Sequence, residues 1–299
     1  MATTTSITTT YAGQFAGEYI AQALLSGVTL SEGGVTVKPN IKFKEVLKKL
    51  SLDDILKDGS CDFDPSSTVT LTERILQPEE FQVNLELCKK DFRQDWDAAS
   101  MGFSQYDELP KNFADFLIGH VAAKVAQKVE QNIWNGATAN AGEFDGFKTL
   151  LLADSDVVDV SGTTLSKSNI ITELDKVVDA IPSAVYGKED LKIYIPTSAA
   201  KFYIQKQAEL GYRDLYNVGK TELNFQGIEL FTAPGLANDT MVASQSGNLY
   251  FGTGLLNDWQ EVKLIDMADI DGSQNVRVVL RGSAGVQHGI GSDIVLYSS

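Results

Sequence analysis

Between residues 112 and 136, apolar side chains return every four positions, which is the spacing of one face of an α-helix. The apolar row contains Phe113, Leu117, Val121, Val125, Val129 and Ile133, with Ile118, Ala122 and Ala126 beside it. The polar side contains Lys124, Gln127, Lys128, Glu130 and Gln131. Pro110 precedes the segment, Asn112 can cap it, and Asn135-Gly136 is a typical helix end. The pattern predicts an amphipathic helix over 112–135, about 36 Å long at 1.5 Å per residue, which we expect to form a spine for the rest of the chain.

The region before this helix is predicted to contain an arm, a short helix and a charged segment. Residues 1–10 are rich in threonine and indicate an arm, and four-residue spacing predicts a helix that ends at Gly27. The apolar residues of this helix include Phe15, Tyr19 and Ile20. They either pack on the chain's own core or contact a neighbouring molecule, and the sequence leaves both open. Residues 41–56 form a basic amphipathic segment whose charged face we expect to be solvated.

Alternation of apolar and polar residues predicts two strands in the next part of the chain. The strands are 68–76 and 80–88, and Gln77-Pro78-Glu79 is predicted to join them as a hairpin. In that register Cys88 lies opposite Thr68 and not opposite Cys61. We therefore expect two thiols in or near a core and no disulfide.

After residue 136 helices and strands mix without a regular alternation, which favours an α+β fold. Residues 142–149 are predicted to form a loop. Predicted helices are capped by Ser168 and Thr197, and predicted strands cover 191–195, 223–231, 248–251, 262–264, 276–280 and 294–297. The last two strands are expected to be separated by Gly282, Gly285, Gly289 and Gly291.

Composition narrows the class of protein without fixing it. With 299 residues, 43% of them hydrophobic and 22% charged, the chain can bury a sizeable core. The net charge of −15 argues against tight phosphate binding by the whole surface. This acidity fits either simple solubility or a surface that tolerates packed nucleic acid, and charge alone does not separate the two. Residues 1–10 lack the apolar part of a signal peptide, so we expect folding in a reducing cytoplasm and no membrane insertion.

The sequence contains no catalytic or metal-binding signature. There are two histidines, and nucleophile elbows and C-x-x-C pairs are absent. Gly219-Lys220-Thr221 imitates the end of a phosphate loop, but the upstream glycine is missing and a strand is predicted to follow. Residues 269–272 resemble part of a calcium loop, yet its end positions Met267 and Val278 offer no acidic oxygen, so a hairpin turn is favoured. These observations favour a structural or interaction protein over an enzyme, with no cofactor.

The order of these segments resembles the major capsid protein of tailed bacteriophages, the Hong Kong 97-type shell protein. The likeness begins with LTERILQPEEFQVNLELCKKDF at 71–92, EQNIWNG at 130–136 and GEFDGF at 142–147. It continues with NLYFGTG at 248–254, RVVLRGSAGVQHG at 277–289 and IVLY at 294–297. It covers nearly the whole chain, and it is a match of pattern and phrase with no catalytic signature.

The resemblance implies an α+β Hong Kong 97-like capsid fold with an N-terminal arm, an extended β-hairpin loop, a peripheral domain and an axial domain. The arm would cover 1–57, the loop and long strands 58–90, the peripheral domain 91–145 and 255–299 with the spine helix, and the axial domain 146–254. The implied assembly contacts are Phe15, Tyr19 and Ile20 of the arm and Tyr212, Arg213 and Asp214 of the axial domain. No catalytic, cofactor-binding or metal-binding residue is implied.

The same resemblance implies a function. Many copies would self-assemble into hexamers and pentamers that form an icosahedral virion head around double-stranded DNA, inside the bacterial host cytoplasm. The chain has no room for a large cleaved N-terminal scaffolding segment, so a separate scaffolding protein is implied, together with a portal and a decoration protein. The DNA would be enclosed without sequence-specific binding.

The nearest alternative is a shell protein of the same fold, and more distant alternatives belong to other classes. An encapsulin, a nanocompartment shell of the same fold, would enclose an enzyme in place of DNA, and the threonine-rich arm favours the phage interpretation over it. An acidic hydrolase that uses scattered carboxylates would instead be a small soluble oligomer with a deep cleft. A surface adhesin is disfavoured because an export signal is not visible.

Overall fold

The structure is a computed structural model that describes residues 27–52, 56, 58–59, 61, 69–88, 111–211, 223–254 and 263–299. The helices are α1 (Val28–Ser31), α2 (Lys111–Asn135), α3 (Phe147–Ala153), α4 (Ile170–Asp179), α5 (Thr197–Glu209) and α6 (Ala268–Asp271). The strands are β1 (Thr36–Lys38), β2 (Glu45–Leu52), β3 (Val69–Leu76), β4 (Glu79–Cys88), β5 (Val158–Ser161), β6 (Leu191–Ile195), β7 (Asn224–Phe225), β8 (Ile228–Thr232), β9 (Thr240–Gln245), β10 (Leu249–Thr253), β11 (Lys263–Asp266), β12 (Asn275–His288) and β13 (Val295–Ser298). The predicted α+β class is confirmed.

Three sheets organise the strands of the described part. In the first, β12 pairs with β4 along one edge and with β10 and β11 along the other, and β1 adds to β10 in parallel. The second has six strands in the order β5-β13-β9-β6-β8-β7. The third is the antiparallel pair β2–β3, which we call the ribbon. Several partners lie far apart in sequence, so the chain folds back on itself repeatedly.

The long amphipathic helix is confirmed as α2, which covers Lys111–Asn135. Val121, Val129 and Ile133 of the predicted row are buried, and Val125 packs against the same core. The helix ends where the sequence predicts, immediately before Gly136. A Cβ atom on residue 136 would collide with the backbone of Phe144, so the close approach of the chain at this turn requires glycine.

The prediction for one polar residue of this helix was wrong. Glu130 was assigned to the solvated side, but its side chain is buried, with 1% of its surface exposed. Thr29 donates hydrogen bonds to it from its backbone N–H and its hydroxyl group. A buried carboxylate needs such donors, and they come from a segment about a hundred residues earlier.

The predicted hairpin between 68–76 and 80–88 was also wrong. β3 pairs with β2, and β4 pairs with β12, so the two strands belong to different sheets. The two residues between them are Gln77 and Pro78. A type I′ turn would need positive φ at both, which proline cannot adopt, and a type II′ turn would need it at Gln77, whose φ is not positive. The chain therefore passes from one sheet to the next without a hairpin turn. Cys88 lies opposite Asn275.

Glycine positions explain a further pair of corrections. β12 runs without interruption through Gly282 and Gly285, which were expected to separate strands. A Cβ atom on Gly285 would lie 2.6 Å from the carbonyl oxygen of Gln77, so the glycine permits the close passage of the chain between β3 and β4. Conversely, the predicted strand 223–231 is divided by Gln226-Gly227, which has φ angles of 48° and 83° and joins β7 to β8 as a tight hairpin.

Smaller predictions had mixed outcomes. α4 begins after Asn169 and not after Ser168, and the predicted loop 142–149 ends early because α3 begins at Phe147. β11 and β12 are antiparallel neighbours, so the predicted hairpin at 269–272 is confirmed, with the short helix α6 inside it. Cys61 is exposed and Cys88 is half-buried, so the expectation that both lie in or near a core was wrong for Cys61. The predicted helix ending at Gly27 and a short helix expected over 91–100 lie outside the described residues.

Two hydrophobic cores occupy the two faces of the six-stranded sheet. Trp134, Phe147, Tyr194 and Phe231 form an aromatic chain in the first core, with ring centroids 5.0 to 5.4 Å apart. The second core lies under α4 and α5, and both neighbours of Tyr194 in β6, namely Ile193 and Ile195, point into it. The same strand thus supports both cores, which joins them through one sheet.

Candidate assembly surface

The six predicted assembly contacts cannot be located, because Phe15, Tyr19, Ile20, Tyr212, Arg213 and Asp214 all lie outside the described residues. The structure brings a different set of residues to the surface. This set lies on the ribbon, within the segment that the sequence pattern marked only as basic and amphipathic.

One face of the ribbon is apolar and exposed. Val46 lies opposite Ile75, and Leu50 lies opposite Leu71, and cross-strand partners point to the same side of a sheet. Leu50 and Leu71 keep 60% and 55% of their surface exposed. We call these four residues the apolar ribbon face. Between the two pairs lies the cross-strand pair of Lys48 and Glu73, which adds one charge of each sign.

Such a face is costly to leave in water. A two-stranded ribbon is marginally stable by itself and needs packing on at least one side. Among the described strands, β2 and β3 pair only with each other, so the ribbon also has free strand edges. Exposed apolar side chains beside free strand edges are typical of a surface that contacts another molecule.

The ribbon is attached to the body of the protein at the C-terminal end of β3. Leu76 is fully buried there and contacts Gly252, where a Cβ atom would lie 3.0 Å from its side chain. Gln287 donates a side-chain hydrogen bond of 3.1 Å to the carbonyl oxygen of Ile75. These contacts hold the base of the ribbon, while the apolar ribbon face stands clear of the core.

A charged cluster lies beside this attachment. Arg74 of β3 donates to Oδ2 of Asp154, the residue that follows α3, at 2.5 Å. Nε2 of His288, at the end of β12, lies 2.7 Å from the same oxygen atom. We call Arg74, Asp154 and His288 the ribbon-base cluster. It connects the ribbon, a helix end and the central strand of the first sheet.

The environment shifts the pKa values within the ribbon-base cluster. Burial opposes ionisation of Asp154, but hydrogen bonds from His288, the backbone N–H of Asp156 and Arg74 outweigh it and lower the pKa to about 2. Burial of His288 lowers the pKa of its imidazole, and the charge of Arg74 lowers it further, against the opposing effect of Asp154. At neutral pH the cluster therefore contains an ionised carboxylate, a guanidinium and a neutral histidine.

A cleft of about 430 Å³ separates the ribbon from the body. One wall consists of the four consecutive residues 47–50 of β2 together with Arg74. The opposite wall includes Asp190, Tyr250 and Asp293. Since successive side chains of a strand point to opposite faces, a wall of four consecutive residues means that an edge of β2 borders the cleft.

A second buried polar network, formed by Thr29, Glu130 and Trp134, holds the segment around α1 against the rest of the protein. The hydroxyl group of Thr29 donates to Glu130 and accepts a 2.9 Å hydrogen bond from Nε1 of Trp134. Burial raises the pKa of Glu130, and hydrogen bonds from Thr29 and the backbone of Gly235 oppose that rise. This network ties the segment around α1 to α2 and to the loop that contains Gly235.

The described residues offer little for chemistry. Within these ranges, three or more histidine, cysteine, aspartate or glutamate side chains do not come together in a way that could hold a metal ion. Helices in the described part are either too short or too polar to cross a membrane. What the surface offers is apolar contact area and a charged attachment, which suit binding to another macromolecule.

The residues of the apolar ribbon face were visible in the sequence, but they fell in two segments that were interpreted separately, one as a predicted strand and one as a basic amphipathic segment. Val69 and Leu71 alternate with threonines, whereas Val46 and Leu50 lie among lysines. Only the pairing of β2 with β3 places these residues side by side. That pairing spans a connection of sixteen residues from 53 to 68, and local spacing says nothing about contacts at such a distance.

Comparisons with known proteins give one kind of match. The chain matches no family model and no curated protein. It is similar to a solved chain from the capsid of a native GTA particle, with 12% identity, a TM-score of 0.67, and coverage of 94% of this chain and 93% of that one. It is also similar to a chain of the cyanophage A-1(L) capsid, with 11% identity, a TM-score of 0.62 and 96% coverage of both chains.

A third solved structure is a procapsid. The chain is similar to a chain in the procapsid of satellite phage P4, which includes a size determination protein, with 11% identity and a TM-score of 0.57. The match covers 88% of this chain and 85% of that one. At such identities the likeness shows the fold alone. The chain has the Hong Kong 97-type capsid fold, as the resemblance in its sequence implied.

Proposed function

We propose that this chain is the major capsid protein of a tailed phage or a phage-like particle, a structural protein without enzymatic activity. Its copies self-assemble into hexamers and pentamers that close an icosahedral shell around double-stranded DNA. The observation that carries the proposal is the apolar ribbon face, which stands clear of the core on a chain with a capsid fold. The ribbon of one copy covers this face by packing on its neighbour.

The contact between copies is heterologous. The ribbon is one surface, and the part of the neighbour that receives it is another, so each copy has one of each. Repeated head-to-tail contacts of this kind close into rings when the rotation between copies is right. Rings of six and five then tile a closed shell, and many modest contacts together make it stable.

The domain division follows the same proposal. The arm occupies 1–57, the extended loop and long strands 58–90, the peripheral domain 91–145 and 255–299, and the axial domain 146–254. Because β2 pairs with β3, we assign Glu45–Leu52 to the extended loop and no longer to the arm. Phe15, Tyr19 and Ile20 of the arm would contact neighbouring copies. Tyr212, Arg213 and Asp214 would approach the centre of the capsomer.

Further partners belong to the proposal as well. A separate scaffolding protein directs assembly in the host cytoplasm, and the procapsid of satellite phage P4, which includes a size determination protein, is consistent with that. A portal and a decoration protein would complete the virion. The net charge of −15 suits a shell that encloses DNA without gripping it. The encapsulin and hydrolase alternatives have no specific observation in their favour.

The test is electron microscopy of the expressed full chain, with and without its scaffolding protein. We expect hollow particles from the wild type. Leu50→Asp should abolish them while leaving the thermal unfolding midpoint of the unassembled chain within a few degrees of the wild type, because the residue is exposed. Leu152→Asp is the matched control, since this leucine of α3 is similarly exposed, at 54%, but lies outside the ribbon.

Three results would contradict the proposal. The first is a wild-type chain that remains a small soluble oligomer under every condition. The second is normal particles from the Leu50→Asp variant. The third is an equal loss of particles in the Leu50→Asp and Leu152→Asp variants, which would remove the special role of the ribbon.

A further inference from the structure

One oxygen atom of Asp154 joins Arg74 of the ribbon to His288 of the body. Oδ2 of Asp154 receives the guanidinium of Arg74 at 2.5 Å and faces Nε2 of His288 at 2.7 Å. The other oxygen, Oδ1, accepts the backbone N–H of Asp156 at 3.1 Å. Both oxygens of the carboxylate thus have partners, and its one negative charge is balanced by Arg74 as long as His288 is neutral.

We infer that the ribbon-base cluster is a proton-sensitive switch that sets the position of the ribbon relative to the body. Neutral His288 leaves Arg74 bound to Asp154 and the ribbon held. Protonated His288 adds a second positive charge beside this oxygen, repels the guanidinium of Arg74 and releases it. The movement itself does not depend on the proposed function. Its biological role does rest on that function, since the position of the ribbon would decide whether a neighbouring copy can be contacted.

The two cations differ in their freedom to move. The side chain of His288 is 1% exposed and belongs to β12, whereas that of Arg74 is 28% exposed and lies at the cleft. When His288 and Arg74 are both charged, they repel each other. Arg74 is the one that can swing into water, because a long flexible side chain at the surface regains its hydration there.

The charged groups that face His288 define the response. Asp154 comes from the turn after α3 and Arg74 from β3, while the cross-strand neighbour of His288 in β10, Leu249, brings no charge. The other ring nitrogen, Nδ1, is buried without a hydrogen-bond partner among the described residues. A proton added there is therefore not stabilised by an acceptor, and the new charge acts on Asp154 and Arg74.

The direction with pH follows from these contacts. Burial and Arg74 place the pKa of His288 below its ordinary value of 6.5, so the histidine is neutral and the ribbon is held at neutral and alkaline pH. As the pH falls below 6.5 and through the pKa of the folded protein, His288 becomes charged and the ribbon is released. Asp154 stays ionised throughout this window, because its pKa is about 2.

The ribbon has space in which to move. The cleft of about 430 Å³ between β2 and the body means that a change of angle at the base meets no packed core on that side. The remaining attachments include Leu76 and the hydrogen bond from Gln287 to Ile75 at the end of β3, and the ion pair of Lys38 with Glu45 at the start of β2. Glu45 lies opposite Leu76, so these attachments share one end of the ribbon. Movement about this end would carry the apolar ribbon face through the largest displacement.

The test measures the position of the ribbon directly. Spin labels at Thr72→Cys on β3 and Ser292→Cys on the body, in a full chain with Cys61→Ser and Cys88→Ser, report the distance distribution by pulsed electron paramagnetic resonance. For the unassembled chain we expect one narrow distribution at pH 7.5 and a broader, shifted one at pH 4, where circular dichroism checks that the chain is still folded. An unchanged distribution between the two pH values would overturn the inference.

Variants separate the switch from a general effect of charge. Arg74→Gln should give, at pH 7.5, the distribution that the wild type shows at pH 4. His288→Gln retains a donor to Asp154 but cannot be charged, so it should show the pH 7.5 distribution at both pH values. Lys49→Gln is the matched control, because Lys49 is on the same face of the ribbon and borders the same cleft, and it should behave as the wild type.

The outcomes decide the inference clearly. If Arg74→Gln matches the wild type at both pH values, or if Lys49→Gln changes the distance as much as Arg74→Gln, the inference is wrong. Should His288→Gln fail to fold, as judged by circular dichroism, the comparison of Arg74→Gln with Lys49→Gln remains decisive. Because the distances are measured on the unassembled chain, a failure of the wild type to build particles refutes the proposed function and leaves this result standing.

Discussion

The hydroxyl group of Thr29 offers a direct test of the buried hydrogen bonds that join the segment around α1 to α2. It is buried, donates to Glu130 and accepts from Trp134. Thr29→Val keeps nearly the same shape and removes only the hydrogen-bonding group. Trp134 then loses a partner for its buried N–H group, and Glu130 loses a donor to its carboxylate.

The expected cost follows from these two losses. A hydrogen bond to a charged group contributes about 1.5–3 kcal/mol, and a buried donor without a partner costs about 1–3 kcal/mol. Trp134 also reaches Glu130, so part of the second cost is recovered. We expect Thr29→Val to lower the free energy of unfolding by about 2–5 kcal/mol, which is a large share of a typical 5–15 kcal/mol.

The loss should depend on pH, with a definite sign. Burial already raises the pKa of Glu130 above its ordinary value of 4.5, and donation from Thr29 opposes that rise. Without the hydroxyl group the pKa rises further. A carboxyl group whose folded pKa is raised destabilises the folded state once it is ionised, so the cost grows as the pH rises through the folded pKa. The deficit of Thr29→Val should therefore be larger at pH 8 than at pH 5.

Urea unfolding followed by tryptophan fluorescence at pH 5 and pH 8 measures this. Thr29→Ser is the control, because it keeps the hydroxyl group and loses one methyl group, for about 1 kcal/mol at either pH. The reasoning would be refuted if the valine variant were no less stable than the serine variant. It would also be refuted if the deficit of the valine variant were smaller at pH 8 than at pH 5.

Three further predictions concern other parts of the fold. Gly285→Val should prevent correct folding, because its Cβ atom would lie 2.6 Å from the carbonyl oxygen of Gln77, and circular dichroism should then show no cooperative melt. Tyr297→Phe should lower the free energy of unfolding, measured by urea titration, by about 1–3 kcal/mol, because the phenol hydroxyl donates a 2.8 Å hydrogen bond to Glu173. An unchanged urea midpoint would show that this hydrogen bond does not contribute to stability. Ionised Asp154 should contribute about 2 kcal/mol, present above pH 4 and lost as the pH falls towards 2, because its pKa is lowered from 3.8 to about 2. Asp154→Asn should therefore be less stable than the wild type at pH 6 and nearly equal to it at pH 2.

Local patterns predicted those elements whose determinants lie within a few residues. α2 was predicted to within one residue at its start, because a four-residue apolar spacing, a preceding proline and a terminal Asn-Gly pair all agree. β6 and β10 were predicted for the same reason, since their apolar residues are contiguous and bounded by turns. The likeness of segment order then gave the capsid fold, which none of these elements specifies alone.

What the sequence concealed depends on distant partners. Glu130 looks like any solvated glutamate on a helix, and only Thr29 and Gly235 make its burial possible. β3 and β4 look like a hairpin in the sequence, but β3 pairs with β2 and β4 pairs with β12. The ribbon-base cluster joins residues 74, 154 and 288, so short-range spacing could not have revealed it. The predicted contacts of the arm and of residues 212–214 stay predictions.

The pairing of β1 has a consequence for how the chain folds as it is made. Thr36–Lys38 lies parallel to residues 250–252, and β5 lies parallel to β13 at the very end of the chain. β1 and β5 are therefore made long before the strands with which they pair. Among the described strands of the first half, β2 and β3 can pair with each other as soon as both have been made. The two larger sheets must wait for β12 and β13, so their formation depends on contacts between residues that are far apart in sequence.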